Sequence, residues 1–239
     1  PGLAVGPLGY LRCLLVETFW FGALYLFVQA FPRLALPREA GQRANERPVV
    51  LLLPGFVCNA GVWAGFTRAL RGRGYAAFPV TLEPIYGPID GYAEAVAERV
   101  EALYAASGGR PVAIIGHSMG GLVGRAYLRK YGGGRVSRLI TLGSPHHGTA
   151  LAPYGYGRNA REMRRTSEWL GGLKAFEEGG YPAPVTSVYT YHDNIVAPQE
   201  SSELSGATNV PLGGMGHMTL LFSPRVVEIV ARELAADQR

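Results

Sequence analysis

The chain alternates short apolar runs with longer stretches patterned at helical spacing. Pro48–Leu53, Tyr75–Leu82, Pro111–Ile115, Val136–Leu142 and Val185–Tyr191 are rich in apolar and β-branched residues and read as buried strands. Between them, Asn59–Arg73 sets Trp63, Phe66 and Leu70 at helical spacing. Ile89–Ala106 sets Tyr92, Val96, Val100, Leu103 and Tyr104 toward one side, with Glu94, Glu98 and Glu101 toward another. A helical pattern follows Ser118 through Tyr131, and Val226–Leu234 closes the chain as a helix. Such alternation predicts an α/β fold, a mostly parallel sheet with helices on both faces.

Two stretches break the rhythm. From about 150 to 184 the apolar residues Tyr154, Tyr156, Met163, Trp169, Leu170 and Phe176 lie among Arg and Gly. This reads as a short cap insertion that covers part of a cleft and lines its pocket; the alternative is a surface helix pair with its own small core. The second is residues 1–36. From Cys13 to Pro32 only Glu17, Thr18 and Gln29 interrupt the apolar run, bracketed by Arg12 and Arg33. A membrane span needs about 20 apolar residues, and Glu17 lies inside this one. Val28-Gln29-Ala30 would suit a signal-peptide cleavage site. The favoured reading is an apolar helix that meets a membrane surface or a partner, a second copy of the chain included, and the alternative is a helix packed within the chain's own core. The expected organisation is therefore 1–36 as a helical segment and 37–239 as the main domain, and the setting is membrane-associated, secreted or periplasmic.

Composition changes the picture little. At 239 residues with 48% hydrophobic content, the chain can bury one sizeable core. The net charge is +5, but the basic residues form no run interleaved with aromatics, so no nucleic-acid partner is expected. Cys13 and Cys58 could form a bridge, but nothing in the sequence requires one, and two free thiols are the default reading.

The chemistry concentrates at Gly116-His117-Ser118-Met119-Gly120-Gly121, directly after the Pro111–Ile115 run. A strand entering a tight turn with serine at its apex, then a helix, is a nucleophile elbow. Only small residues fit two positions either side, which Gly116 and Gly120 satisfy. A serine hydroxyl needs a base, and the base needs an orienting carboxylate. In this layout the chain order is Ser, then acid, then His. Asp193, at the end of the Val185–Tyr191 strand, is the candidate orienter. His217, in Gly213-Gly214-Met215-Gly216-His217, is the candidate base. The candidate oxyanion donors are the backbone N–H groups of Met119 and of Phe56, the latter after the Pro54-Gly55 turn. His117, His146 and His147 read as structural, and His192 as pointing away from its neighbour Asp193.

With these residues in place, the chain resembles a bacterial triacylglycerol lipase or esterase of the α/β-hydrolase superfamily. The resemblance covers roughly residues 48–236 and rests on Leu53-Pro54-Gly55-Phe56, the elbow, Thr141-Leu142-Gly143-Ser144-Pro145-His146-His147-Gly148-Thr149, His192-Asp193-Asn194 and Gly216-His217. One departure is Pro54, where relatives usually carry His before the glycine. The resemblance implies an α/β-hydrolase fold and hydrolysis of apolar acyl esters through an acyl-enzyme. Phospholipase, thioesterase and polyester hydrolase activities, or a non-catalytic binding module, are the alternatives. Some relatives bind calcium or zinc; no ligand cluster carries a metal over, and no cofactor is expected.

Overall fold

The computed structural model describes residues 5–32, 36 and 47–236. Six strands form one sheet: β1 (Val49–Leu53), β2 (Ala76–Pro79), β3 (Val112–His117), β4 (Val136–Leu142), β5 (Val185–Thr190) and β6 (Thr208–Leu212). Their spatial order is β2-β1-β3-β4-β5-β6, and each neighbouring pair is parallel. The helices in chain order are α1 (Pro7–Ala23), α2 (Ala64–Gly72), α3 (Ile89–Ala106), α4 (Met119–Tyr131), α5 (Arg158–Glu162), α6 (Glu168–Glu177) and α7 (Pro224–Ala236).

The buried apolar runs follow from this layering. Val49, Leu51 and Leu53 of β1 enter a core shared with α3 and α4. Val50 and Leu52 point to the opposite face, into a core with α2 and α7. A strand covered on both faces has no position left for a polar side chain. After β1 the chain adds β2 on one side, then crosses to place β3 on the other. The loops leaving β1 and β3 therefore splay apart at their carboxyl ends, where open α/β sheets form a crevice.

Some sequence expectations shift. The helix expected over 59–73 begins as a 3₁₀ turn, Ala60–Trp63, with the Asn59 side chain accepting from the Gly61 N–H at 2.9 Å. The strand expected over 75–82 is confined to Ala76–Pro79. β6 was not marked by the pattern. It is partly exposed and contains Pro211, whose missing N–H restricts it to a sheet edge; accordingly it pairs with β5 alone.

The apolar N-terminal segment is helical from Pro7, and a π-helical turn carries it on through Leu24–Val28. Its inner stripe, Cys13, Glu17 and Leu24, is buried against the domain. Trp20, on the same side, stacks on Phe222 with ring centroids 3.9 Å apart. Gln29 accepts from the Asn59 N–H at 2.8 Å through its side-chain oxygen and from Asn59 Nδ2 at 2.9 Å through its carbonyl. The outer stripe is different: Leu8, Leu15, Phe19 and Leu26 are 85%, 64%, 66% and 68% exposed. One helix thus packs on the domain and also presents a continuous apolar face. The expected boundary at 36/37 adjoins residues 37–46, outside the described residues.

Candidate active site

Ser118 sits between β3 and α4 with φ 55° and ψ −123°. A non-glycine residue in the left-handed region costs on the order of 1–3 kcal/mol and persists only where its surroundings hold it. Here the Ser118 N–H donates to Leu142 O at 2.9 Å, and the Gly121 N–H donates to Ser118 O at 3.1 Å. The flanking glycines are required by contact. A Cβ on Gly116 would lie 2.4 Å from the Gly120 carbonyl, and one on Gly120 would lie 2.2 Å from Leu53 O.

Asp193 and His217 come from loops after β5 and β6 and meet beside this turn. His217 Nδ1 stands 2.8 Å from Asp193 Oδ2, and both side chains are buried. The other carboxylate oxygen, Oδ1, accepts from the N–H groups of Ile195 (2.8 Å) and Val196 (2.7 Å). The carboxylate is therefore fixed, and it leaves His217 Nε2 as the nitrogen available to a neighbour. Burial works to lower the His217 pKa, but the Asp193 charge, its hydrogen bond and the charge of Glu17 together outweigh it and hold the ring above its ordinary value.

The loop after β1 supplies the opposite wall. A Cβ on Gly55 would lie 3.0 Å from Ser118 Cβ, so glycine lets this backbone approach the serine. Met119 is the first residue of α4, so its N–H has no acceptor within the helix. The Phe56 N–H makes no hydrogen bond among the described residues. Val57 next to it has φ 57°, a rare conformation for a β-branched residue and, with Ser118, one of two positive-φ non-glycine residues among those described.

A cavity of about 280 Å³ joins these parts; Ser118 and His217 both line it. No hydrogen bond joins the Ser118 hydroxyl to the ring among the described residues, and such bonds often tighten only with substrate bound. The apolar wall corrects one expectation. It is built by Phe21, Tyr25, Phe56, Ile195 and Met218, with nothing from residues 150–184. The 150–184 segment packs instead toward α3 and α4, where Glu162 accepts from the Ile89 N–H at 2.7 Å and Arg125 pairs with Glu177 at 2.6 Å. It also borders a separate cavity of about 430 Å³ lined by Tyr86, Tyr156, Arg158, Arg161 and Arg164. Phe56 links the two regions: its ring lies 6.3 Å from that of Tyr86.

The pattern missed Glu17. It reads in sequence as a polar interruption of an apolar helix, yet it is only 3% exposed and lies behind His217. Its carboxylate accepts from the Met218 N–H at 2.5 Å, the Thr219 N–H at 3.1 Å and the Thr219 hydroxyl at 2.8 Å. Burying a carboxylate costs several kcal/mol, and charge-assisted bonds worth roughly 1.5–3 kcal/mol each offset it. Gly216 makes the room, since a Cβ there would lie 2.5 Å from Glu17 Oε2. The available signal was spacing: Cys13, Glu17, Trp20 and Leu24 recur at i, i+4, i+7 and i+11, one helix face.

The other histidines brace the frame. His117 is buried, and its Nε2 lies 3.2 Å from His217 O. Burial and the neighbouring His217 hold its pKa well below the usual imidazole value, so it stays neutral. His146 is buried with Nε2 3.0 Å from Thr141 Oγ1, and Arg125 donates to its carbonyl at 3.1 Å. His147 Nε2 lies 3.0 Å from Glu203 O. His192 Nδ1 accepts from the Gly214 N–H at 3.1 Å. Among the described residues, no three His, Cys, Asp or Glu side chains converge to hold a metal, and both cysteines are unbridged.

A family model for the alpha/beta hydrolase fold matches residues 48–166. A triacylglycerol lipase of Pseudarthrobacter phenanthrenivorans is 31% identical over 119 residues, which are 46% of this chain and 37% of that lipase. The match thus spans little more than a third of that relative's length. Among solved structures, Aspergillus fumigatus lipase B superposes with a TM-score of 0.75 at 22% identity, over 84% of this chain and 55% of that one. A membrane phospholipase A superposes with a TM-score of 0.59 at 17% identity, over 97% of this chain and 98% of that one. At these identities the two likenesses establish the fold.

Proposed function

Because the chain belongs to the α/β-hydrolase superfamily, we propose that it is a serine-dependent carboxylic ester hydrolase acting on apolar acyl esters. One observation carries the reading: Ser118, strained at the tip of its turn, shares a cavity with His217, whose Nδ1 is engaged by the buried Asp193. A binding module has no use for that combination.

In the proposed reaction the ester carbonyl oxygen points at the N–H groups of Phe56 and Met119. His217 Nε2 takes the Ser118 proton as Oγ attacks the carbonyl carbon. The tetrahedral oxyanion gathers charge between the two donors, and one such donor is worth about 3–4 kcal/mol. His217 then gives its proton to the leaving alkoxide, and acyl-Ser118 remains. Water, deprotonated by the same ring, attacks the acyl carbon and releases the acid. Asp193 holds the Nδ1–H tautomer and stabilises the imidazolium in both halves.

The apolar wall of Phe21, Tyr25, Ile195 and Met218 suits an acyl chain. Two of those residues belong to the N-terminal helix, whose outer face is exposed and apolar. Pro7–Val28 is long and apolar enough to cross a membrane. Contact of this face with a lipid surface would bring the cavity mouth to a lipid ester. A phospholipid is the second reading, favoured by one observation: Arg158, Arg161 and Arg164 line the cavity beyond Phe56, and among the described residues Arg158 alone of the three forms an ion pair, with Glu162 at 3.3 Å. An anionic headgroup would suit it. Turnover of a p-nitrophenyl ester series, with a fluorophosphonate probe directed at Ser118, tests the main reading. A chain that neither hydrolyses any ester nor takes up the probe would refute it.

A further inference from the structure

We propose that Glu17 is a positioning residue for His217, which makes the apolar N-terminal helix a working part of the active site. This inference rests on the hydrolase reading above.

The backbone around His217 is held from three sides. The His217 N–H donates to Asn194 Oδ1 at 3.2 Å. Its carbonyl faces His117 Nε2 at 3.2 Å. The next two N–H groups, those of Met218 and Thr219, both donate to Glu17, 201 and 202 residues away in sequence. Without Glu17 the chain leaving the ring would lose its anchor at Met218 and Thr219.

Capping the 3₁₀ turn Met218–Leu221 could be served by a neutral serine or asparagine. A full carboxylate does more, because its charge reaches the ring. The groups that act on His217 are Asp193, Glu17 and His117. The first two are anionic, and the third is held neutral by burial. Both anions favour the imidazolium that forms as Ser118 is deprotonated. Glu17 thus serves twice, through position and through charge, and its own burial depends on α1 staying docked. Leu15 and Phe19, two residues to either side of it, point away to the exposed apolar face. Whatever that face meets is therefore coupled to the loop bearing the base.

The test uses the full chain and a soluble short-chain p-nitrophenyl ester, with reactive sites counted by fluorophosphonate titration. Glu17→Gln keeps an acceptor oxygen and removes the charge. The expected result is a kcat loss of about 10- to 100-fold per titrated site, with KM within about twofold and the acid limb of the pH profile moved to lower pH. Thr219→Val removes one donor and leaves the charge, so kcat falls with the limb unmoved. Gly216→Ala drives a Cβ into the carboxylate and should reproduce the loss if Glu17→Gln does not fold. Wild-type kcat and an unmoved limb in Glu17→Gln, or in Gly216→Ala where the first is insoluble, would overturn the proposal. A wild-type chain that takes up no probe would instead sink the hydrolase reading.

Discussion

Asp193 Oδ2 lies 2.8 Å from His217 Nδ1, and Asp193 Oδ1 is fixed by the backbone N–H groups of Ile195 and Val196. A carboxylate so pinned sets the tautomer of the ring and raises its pKa. The neutral form of His217 is therefore lost as pH falls through a value above the unperturbed 6.5. Wild-type kcat/KM should show an acid limb above that point. Asp193→Asn places a donor against Nδ1, which forces the proton onto Nε2 and removes the acceptor that the proposed reaction requires there. Turnover should drop by about 10³–10⁴-fold with the fold intact. Loss of the charge also lowers the pKa, so any residual limb moves to lower pH. Near-normal rates would mean that another acid orients the ring.

The elbow leaves no room for side chains. Gly120→Ala would place a Cβ 2.2 Å from Leu53 O, a backbone atom that cannot swing aside. Overpacking of this kind costs roughly 1–3 kcal/mol or more. The midpoint of thermal unfolding should fall by about 2–4 °C for each kcal/mol, and esterase activity should vanish. An unchanged midpoint with full activity would mean that the turn is looser than its contacts imply.

The outer face of α1 predicts where the protein sits. Leu15→Asp together with Phe19→Asp alters exposed positions opposite the docked stripe. Flotation with phosphatidylcholine vesicles should show binding by the wild type and its loss in the double variant. Turnover of a short soluble ester should persist, since neither residue lines the cavity. Equal flotation of both proteins would argue against this face as the lipid contact.

The arginine-lined cavity bears on headgroup choice. Arg161→Glu with Arg164→Glu reverses charge at two of its walls. Activity on phosphatidylglycerol should fall at least about tenfold, as expected on losing a charge-assisted contact of roughly 1.5–3 kcal/mol, while a neutral ester is unaffected. Parallel losses on both substrates would remove the phospholipid reading.

Much of this molecule was legible from its residues. The β1 and β3 runs, the exact span Ile89–Ala106 and the strand Val136–Leu142 declare themselves because burial on both faces, or on one helical face, forces a periodicity. The tight turn at Ser118 was legible for the same kind of reason: Gly116 and Gly120 are imposed by the backbone contacts of that turn. What escaped depends on contacts distant in sequence. β6 takes its identity from pairing with β5, not from its own half-exposed pattern around Pro211. Phe21 and Tyr25 enter the cavity wall only because α1 folds back over the carboxyl end of the sheet, where a cap from 150–184 was expected. Glu17 seemed a flaw in an apolar helix until its partners, Met218 and Thr219, arrived from the far end of the chain.

The central claim is that Ser118 carries the acyl group and His217 moves its proton. Mass spectrometry of the intact chain after fluorophosphonate treatment, with peptide mapping, tests it most directly. One adduct should map to Ser118, be absent from Ser118→Ala, and form far more slowly in His217→Ala. Ester hydrolysis undiminished in Ser118→Ala, or an adduct on another residue, would contradict the account.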